Sequence, residues 1–275
     1  MFKIGCHLSI SKGFYAAAKE AYGIGANTFQ FFTRNPRGGK AKEIDEKDSM
    51  KMIEFTREHS FANLFAHASY TMNLCSDKSD TRDFAFNLLK DDLERLKMVP
   101  NCYYIFHPGS HVGQGSEIGI QYIIEALRKV SVINPEQIIL LEGMAGKGTE
   151  IGRTFEELNE IISSSNNPNI GVCLDTCHLY SAGYDIVGNL EGVLEEFNRV
   201  IGFEKLMAIH LNDSKTDFHS HKDRHESIGK GTIGLDAIVR IINHSVLKNL
   251  PFNLETPVSE KEHAVEITLL KGHRG

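Results

Sequence analysis

Residues 170–178 read IGVCLDTCH, a short apolar run that ends on a carboxylate, Asp175, with His178 three residues further on. A run of this length and composition is the pattern of a strand buried on both faces. The same ending recurs along the chain. FAH closes on His67, YYIFH on His107, ILLE on Glu142, MAIH on His210 and FNLE on Glu255. One buried histidine after a strand is ordinary core packing. Six apolar runs that each end on a residue able to bind a metal form a pattern that packing does not account for.

Working outward from these runs, eight strands are expected, at 2–8, 28–32, 63–67, 102–107, 138–142, 170–175, 206–212 and 251–255. Helical spacing lies between them. Ala16, Ala17, Ala18, Ala21 and Tyr22 mark the first helix, and Met52, Ile53 and Phe55 the second. Leu88, Leu89, Leu93, Leu96 and Met98 recur at three- and four-residue intervals in the third. Later helices are expected near 115–133, 154–164, 189–200, 234–243 and 259–270. Eight strands alternating with eight helices over 275 residues predict a (β/α)8 TIM barrel formed by residues 1–275 as one domain. The alternative is a doubly wound open sheet. That arrangement concentrates its site at a switch point, whereas here every strand end from the third to the eighth carries chemistry. In a barrel those ends converge on the C-terminal face, where sites of this fold form.

Composition narrows the setting. Hydrophobic residues make up 41% of the chain, ample for a large core, and no apolar stretch has the length of a membrane span. The opening MFKIGCHLS reads directly as a strand and lacks the long apolar region of a signal peptide, so an intracellular, cytoplasmic location without membrane association is expected. The cysteines at 6, 75, 102, 173 and 177 are odd in number and irregular in spacing, which is not a disulfide framework. Cys173 and Cys177 have the look of a zinc pair, but Cys173 sits inside a strand and is read as packing. The formal net charge of −6 advertises no basic patch and argues mildly against nucleic acid. That argument weakens if the acids are metal ligands, because bound cations reverse the local sign.

Two further groups extend the cluster. His178 leaves the same strand end as Asp175. In KDRH, Asp223 and His225 stand two apart, which in extended backbone puts both side chains on one face; His219 and His221 share that parity, so spacing alone does not choose between them. The tally is five histidines (67, 107, 178, 210, 225) and four carboxylates (142, 175, 223, 255). Nine donors exceed the needs of one ion and suit two or three, with carboxylates as bridges. Mixed imidazole and carboxylate favours Zn, Mn or Fe over Mg or Ca. Clustered divalent ions typically act on phosphate esters. His7, at the end of the first strand, has a supporting or a structural role, and His111, in a glycine-rich loop, reads as surface or support.

GVCLDTCH, HPGSHVG, HLNDSK, KDRHESIGKG and LETP together resemble the endonuclease IV family, metal-dependent apurinic/apyrimidinic (AP) endonucleases of base-excision repair. The likeness runs from GCHLS at 5–9 to LETP at 254–257, and GVCLDTCH and HLNDSK followed by DRH are its most specific parts. The resemblance implies three zinc ions, with Mn or Fe possible at some positions. His67, His107 and Glu142 would hold the first. Glu142 would bridge to the second, with Asp175, His210 and Glu255. His178, Asp223 and His225 would hold the third, which leaves out His219 and His221. Three Zn²⁺ would bring the chain's formal −6 to zero and the site's own charge from −4 to +2. The implied reaction is attack of a metal-bound hydroxide on the phosphodiester 5′ to an abasic site in double-stranded DNA, leaving a 3′-hydroxyl and a 5′-deoxyribose phosphate, with Glu142 as the catalytic bridge. The implied protein is a monomer. Asn35, Arg37 and Tyr70 match DNA-contacting positions.

The sequence departs from the family at three places. After Glu142 the usual Asn-Thr-Ala-Gly-Gln-Gly is Gly143-Met144-Ala145-Gly146-Lys147-Gly148. Thr71 follows Tyr70 where the family often has an apolar wedge, and Gly39 replaces a larger aromatic. The metal donors are intact while the DNA-penetrating apparatus is trimmed. The rival reading is a metal-dependent sugar isomerase or epimerase on the same barrel. His178, Asp223 and His225 weigh against it, since a third ion has little use in isomerisation.

Overall fold

A computed structural model describes residues 1–275. Seven strands follow in order: β1 (Ile4–Cys6), β2 (Gln30–Phe32), β3 (Leu64–His67), β4 (Cys102–Phe106), β5 (Ile139–Glu142), β6 (Ile170–Asp175) and β7 (Leu206–His210). Two short strands, β8 (Asp213–Ser214) and β9 (His225–Glu226), form a separate ribbon, and β10 (Phe252–Leu254) completes the sheet. The helices are α1 (Phe14–Gly23), α2 (Glu46–Glu58), α3 (Ser79–Leu96), α4 (Ser116–Val130), α5 (Phe155–Ser164), α6 (Thr176–Ala182), α7 (Leu190–Val200), α8 (Leu235–Asn243) and α9 (Glu260–Gly272).

The sheet runs β1-β10-β7-β6-β5-β4-β3-β2, and every pairing in it is parallel. Its two ends meet. A parallel bridge joins His7 to Gln30, and the Leu8 amide donates to the Gln30 carbonyl at 2.8 Å, so the ring closes into the TIM barrel. Gly5 permits the closure: a Cβ there would stand 2.1 Å from the carbonyl oxygen of Thr28.

Strand alternation explains where the donors lie. Phe65, Ile105, Leu140, Cys173 and Ala208 form a small buried cluster distinct from the large core of 63 residues. Two residues on from each stand His67, His107, Glu142, Asp175 and His210. A two-residue step keeps side chains on one face of a strand. The five apolar side chains therefore plug the barrel, and the donors form the next layer above them. The large core lies between sheet and helices, and in α3 it takes Leu88, Leu89, Leu93 and Leu96.

The structure adds three elements that the apolar pattern does not anticipate. α6 starts directly at the tip of β6, so His178 sits on the first turn of a helix rather than on an extended strand end. Asp175 caps that helix, accepting from the His178 amide at 2.9 Å. A single 3-10 turn, Phe203–Lys205, precedes β7. The ribbon β8–β9 folds the 211–226 connection back over the barrel mouth. Several expected strands are also too long: 2–8 contracts to Ile4–Cys6, and 28–32 to Gln30–Phe32.

Candidate metal centre

Glu142 is the centre of the cluster, fully buried at the tip of β5. Its Oε2 lies 3.1 Å from His67 Nε2 and 3.3 Å from His107 Nε2. Its Oε1 lies 3.1 Å from His210 Nδ1 and 3.3 Å from His178 Nδ1. Glu255 Oε2 is 3.3 Å from His210 Nδ1. Asp223 Oδ1 is 3.4 Å from His178 Nε2 and 3.3 Å from His225 Nε2, and Asp175 Oδ2 is 3.6 Å from His225 Nε2. The structure thus brings together all nine residues singled out in the sequence. They fall into three sets whose donor atoms lie within 4.8 Å of one another: His67, His107 and Glu142; Glu142, Asp175, His210 and Glu255; His178, Asp223 and His225.

In four of the five histidines the second ring nitrogen is engaged by a fixed acceptor. His67 Nδ1 donates to the Ala68 carbonyl at 2.7 Å and His178 Nδ1 to the Gly143 carbonyl at 3.0 Å. His225 Nδ1 donates to the Glu255 carbonyl at 3.2 Å and His210 Nε2 to the side-chain oxygen of Gln30 at 2.8 Å. Such bonds fix the tautomer and aim the other nitrogen's lone pair inward. Those lone pairs then confront carboxylate oxygens, acceptor against acceptor, which is unfavourable unless a cation stands between them. The buried Nε2 atoms of His178 and His225 accordingly find no hydrogen-bond partner. The donor set fits divalent metal.

Protons take the cation's place in the chain alone. Burial works against charge on Glu142, but His210 and His107 override it and hold the carboxyl well below its usual range. Glu255 is likewise lowered, to about 2, with His210 the main opposing influence on its burial. Burial also opposes charge on His178, where Asp175, Asp223 and Glu142 reverse it and raise the imidazole well above its ordinary value. His210 is raised in the same way, by the Cys173 sulfur and the carboxylates of Glu255 and Glu142.

Two supporting residues are not evident from the sequence. Gln30 uses its whole amide: Nε2 donates to Glu255 Oε1 at 2.5 Å and to His7 Nδ1 at 3.2 Å, while the oxygen accepts from His210. Asn212 donates to Asp175 Oδ2 at 2.6 Å and accepts from the Glu255 amide at 2.8 Å. Each is a buried polar residue beside an apolar run, in FQFF and HLND, and that mismatch is the signal that would have found them. His7 is thereby a support for Gln30, and burial lowers its pKa to about 4, so it stays neutral and accepts. His111 accepts from the Gly115 amide at 3.1 Å and orders its own loop. His219 and His221 stay outside the three sets, both with positive φ, and His221 Nδ1 lies 3.2 Å from the Ala145 carbonyl. Cys173 belongs to the barrel plug. Cys177 lies near Asp175 and His225, but its thiol donates to the Arg224 carbonyl at 3.6 Å, and burial pushes its pKa up to about 11.

Comparisons with known proteins bear on the family of the chain. A family model described as xylose isomerase-like TIM barrel matches residues 16–272. A probable endonuclease 4 of Clostridium beijerinckii is 58% identical over 98% of both chains. One from Methanosphaera stadtmanae is 54% identical over 99% of both. Among solved structures, endonuclease IV from Thermus thermophilus superposes with a TM-score of 0.87 at 32% identity over 98% of each chain. The chain belongs to the endonuclease IV family. A 3-keto-D-glucoside 4-epimerase from E. coli, with a TM-score of 0.69 and 11% identity, shares the fold alone.

The positions that depart from the endonuclease IV pattern have local explanations. Gly143 supports His178 through its carbonyl, so the change of residue type leaves that bond available. Met144 and Ala145 are buried and face away from solvent. At Gly39 a Cβ would meet the Phe84 ring at 3.0 Å, so Phe84 covers the place where the family's aromatic would begin. Thr71 is exposed and its hydroxyl pairs with Ser69 Oγ at 2.9 Å. Asn35 and Arg37 lie exposed on a turn in which Asn35 Oδ1 accepts from the Arg37 amide at 2.9 Å. Ser69 ties this turn to the next loop by donating to the Pro36 carbonyl at 2.9 Å. Tyr70 is exposed and leans edge-on against Phe32 at 5.1 Å, with the His67 and His107 rings each 5.9 Å away.

Proposed function

We propose that this chain is an AP endonuclease of base-excision repair that cuts the phosphodiester 5′ to an abasic site in duplex DNA, leaving a 3′-hydroxyl and a 5′-deoxyribose phosphate. The observation that carries the reading is the division of nine donors into three sets that share Glu142. In this reading His67, His107 and Glu142 hold one ion. Glu142, Asp175, His210 and Glu255 hold a second, and His178, Asp223 and His225 a third. Zinc suits the mixed imidazole and carboxylate donors, with Mn or Fe acceptable at some positions. Divalent ions held by these residues would supply Lewis acidity, to activate water and to offset charge on the leaving oxygen.

The residues themselves do the positioning. Glu142 spans two sets with its two oxygens. Gln30, Asn212 and four imidazole N–H bonds hold the donors in their rotamers before substrate arrives, so no reorganisation is needed at the moment of reaction. Asn35, Arg37 and Tyr70 project from the loops after β2 and β3, on the same rim as His67, where they meet the strand that carries the lesion. An abasic sugar has no base to unstack, so its extrusion costs less than that of a paired nucleotide. The sugar-isomerase reading needs no third set, and the endonuclease relatives at 54–58% identity favour the nuclease.

The deciding experiment incubates the purified protein, never exposed to chelator, with an end-labelled duplex containing one abasic site. A single nick 5′ to the lesion is expected, abolished by chelator, with about three metal ions per chain by elemental analysis. An uncut abasic duplex, or a preparation holding one tight ion, overturns the reading.

A further inference from the structure

Asp223 stands apart among the four carboxylate donors. It lies on no barrel strand but in the connection between β8 and β9. Its side chain is 39% exposed, against 14% for Glu255, 1% for Glu142 and 0% for Asp175. The amide of Asn212 holds Asp175, and that of Gln30 holds Glu255. The oxygens of Asp223 meet only the imidazoles of His178 and His225. Its aim is therefore set by the backbone that carries it.

That backbone is gripped on both sides of Asp223 by α6. The Lys222 carbonyl accepts from Ser181 Oγ at 2.8 Å, and the Arg224 carbonyl accepts from Cys177 Sγ at 3.6 Å. Residues 177 and 181 stand four apart in the helix, so one helix face holds the peptide units before and after Asp223. Two further bonds lay the segment along α6. The amides of His219 and His221 donate to the carbonyls of Tyr180 and Ser181, each at 3.0 Å, at the end of the helix where carbonyls lack intrahelical partners. Both histidines take positive φ there, a conformation uncommon outside glycine. His178 belongs to the same helix. α6 thus carries one donor of the third set and fixes the backbone of the segment that carries the other two. A hydroxyl is a stronger donor than a thiol, so of the two side-chain bonds that of the fully buried Ser181 is the firmer.

We propose that Ser181 is a positioning residue for the third donor set, holding the Lys222 carbonyl so that Asp223 faces His178 and His225 before a cation arrives. The proposal rests on the metal-dependent reading above. Ser181 acts through Asp223 and through no contact with substrate.

The test compares Ser181→Ala, which removes the hydroxyl, with Ser181→Cys, which keeps a weaker donor of similar size. In chelator-stripped protein, amide hydrogen exchange at 222–226 is expected to quicken about tenfold in Ser181→Ala, with exchange in β5 and β7 as in wild type. In zinc-loaded protein, competition against a chromophoric chelator is expected to show one ion held about 10-fold more weakly and the others unmoved. Cleavage of an abasic duplex falls at limiting zinc and returns to the wild-type rate with excess zinc. Adding Ser181→Ala to Asp223→Asn costs no further ion, because both changes act on one set. Ser181→Cys shows the same signs at smaller size, and it carries the test if Ser181→Ala does not fold. Unchanged exchange at 222–226 overturns the proposal. So does metal loss spread evenly over the ions, a cleavage deficit that excess zinc does not restore, or further ion loss in the double variant. A wild-type protein that holds a single tight ion would instead count against the proposed function, and the exchange measurement, which needs no metal, would still judge the positioning.

Discussion

Gln30 and His210 are joined across the barrel mouth: the amide oxygen of Gln30 accepts from His210 Nε2 at 2.8 Å, which leaves Nδ1 as the nitrogen that faces Glu142 and Glu255. The same amide donates to Glu255, so one side chain from β2 sets both an imidazole and a carboxylate of the middle donor set. Gln30→Ala removes both bonds and frees His210 to rotate. Partners of this kind are typically worth about 10–100-fold in metal affinity. Competition against a chromophoric chelator is expected to show a loss of that size for the most weakly held ion, with far-UV circular dichroism unchanged. Unaltered metal affinity in Gln30→Ala would show that packing alone orients His210.

Glu142→Gln is the sharper perturbation. Its two oxygens lie within 3.3 Å of four imidazoles, and an amide can offer only one oxygen to the two sets. Turnover is expected to fall by more than the roughly 100-fold typical of an outer partner, with at least one ion lost. The fold survives because the apolar plug beneath Glu142 is untouched. Near-wild-type nicking of an abasic duplex by this variant would remove Glu142 from the role of bridge.

A pH dependence follows from the same contacts. Burial lowers the His178 and His210 imidazoles, but the surrounding carboxylates reverse this and place both above the ordinary histidine value. In the metal-free chain their pairing with carboxylates therefore adds stability that is complete below the unfolded value of about 6.5 and is lost as pH rises through the raised folded values. Metal competes with those protons, so loading releases them and apparent affinity weakens as pH falls. Thermal melts of chelator-stripped protein are expected to show midpoints that decline as pH rises above about 6.5, while the gain on adding zinc grows. A metal-free midpoint that rises over that range contradicts the assignment.

The contrast between donors and supports shows what the chain reveals on inspection. Six of the nine donors were legible because each ends a run whose other members are apolar, and that signal repeats from strand to strand around the barrel. Gln30 was not, because FQFF resembles a packed strand with one polar interruption, and nothing in the local pattern says that the interruption points at a residue 180 positions away. α6 was missed for a different reason. It has seven residues and starts without a break from β6, so the apolar run gives no boundary, and only the Asp175 cap marks the change of conformation. Parity along 219–225 did not separate Asp223 and His225 from His219 and His221, and only the family resemblance did; the physical reason lies in tertiary structure, since the ribbon β8–β9 brings His225 to Asp223 and His178.

Arg34 and Asp92 form a buried pair beneath the 35–39 turn. Arg34 Nε donates to Asp92 Oδ1 at 3.1 Å, its Nη1 donates to the Gly39 carbonyl at 2.5 Å, and Tyr104 donates to Asp92 Oδ2 at 2.9 Å. Removing one partner of such a pair strands the other charge and costs about 3–5 kcal/mol. Asp92→Ala is expected to lower unfolding stability by that amount in denaturant titration. It also unpins the turn that carries Asn35 and Arg37, so proteolytic cutting within 35–42 should quicken. Stability within about 0.5 kcal/mol of wild type would mean that water replaces the carboxylate at no cost.

The loops proposed to face DNA supply the last prediction. Thr71 offers a small polar side chain whose hydroxyl is already engaged with Ser69, and the surface at Gly39 is covered by Phe84 rather than by an aromatic of the turn itself. Neither position presents an apolar wedge to the gap left by an extruded sugar. Wedges of this type offset an unstacking cost of a few kcal/mol in distorted DNA. Without one, affinity for an abasic duplex depends mainly on phosphate contacts and is steeply sensitive to salt. Thr71→Leu adds the missing apolar bulk at an exposed site and leaves every metal donor in place. It is expected to tighten binding to the abasic duplex by about tenfold, a gain of about 1.4 kcal/mol, with little change on undamaged duplex and none in single-turnover cleavage. Equal tightening on both duplexes would point to general adhesion instead of a wedge. Unchanged affinity in Thr71→Leu, together with wild-type binding indifferent to salt, would place the penetrating function on another loop.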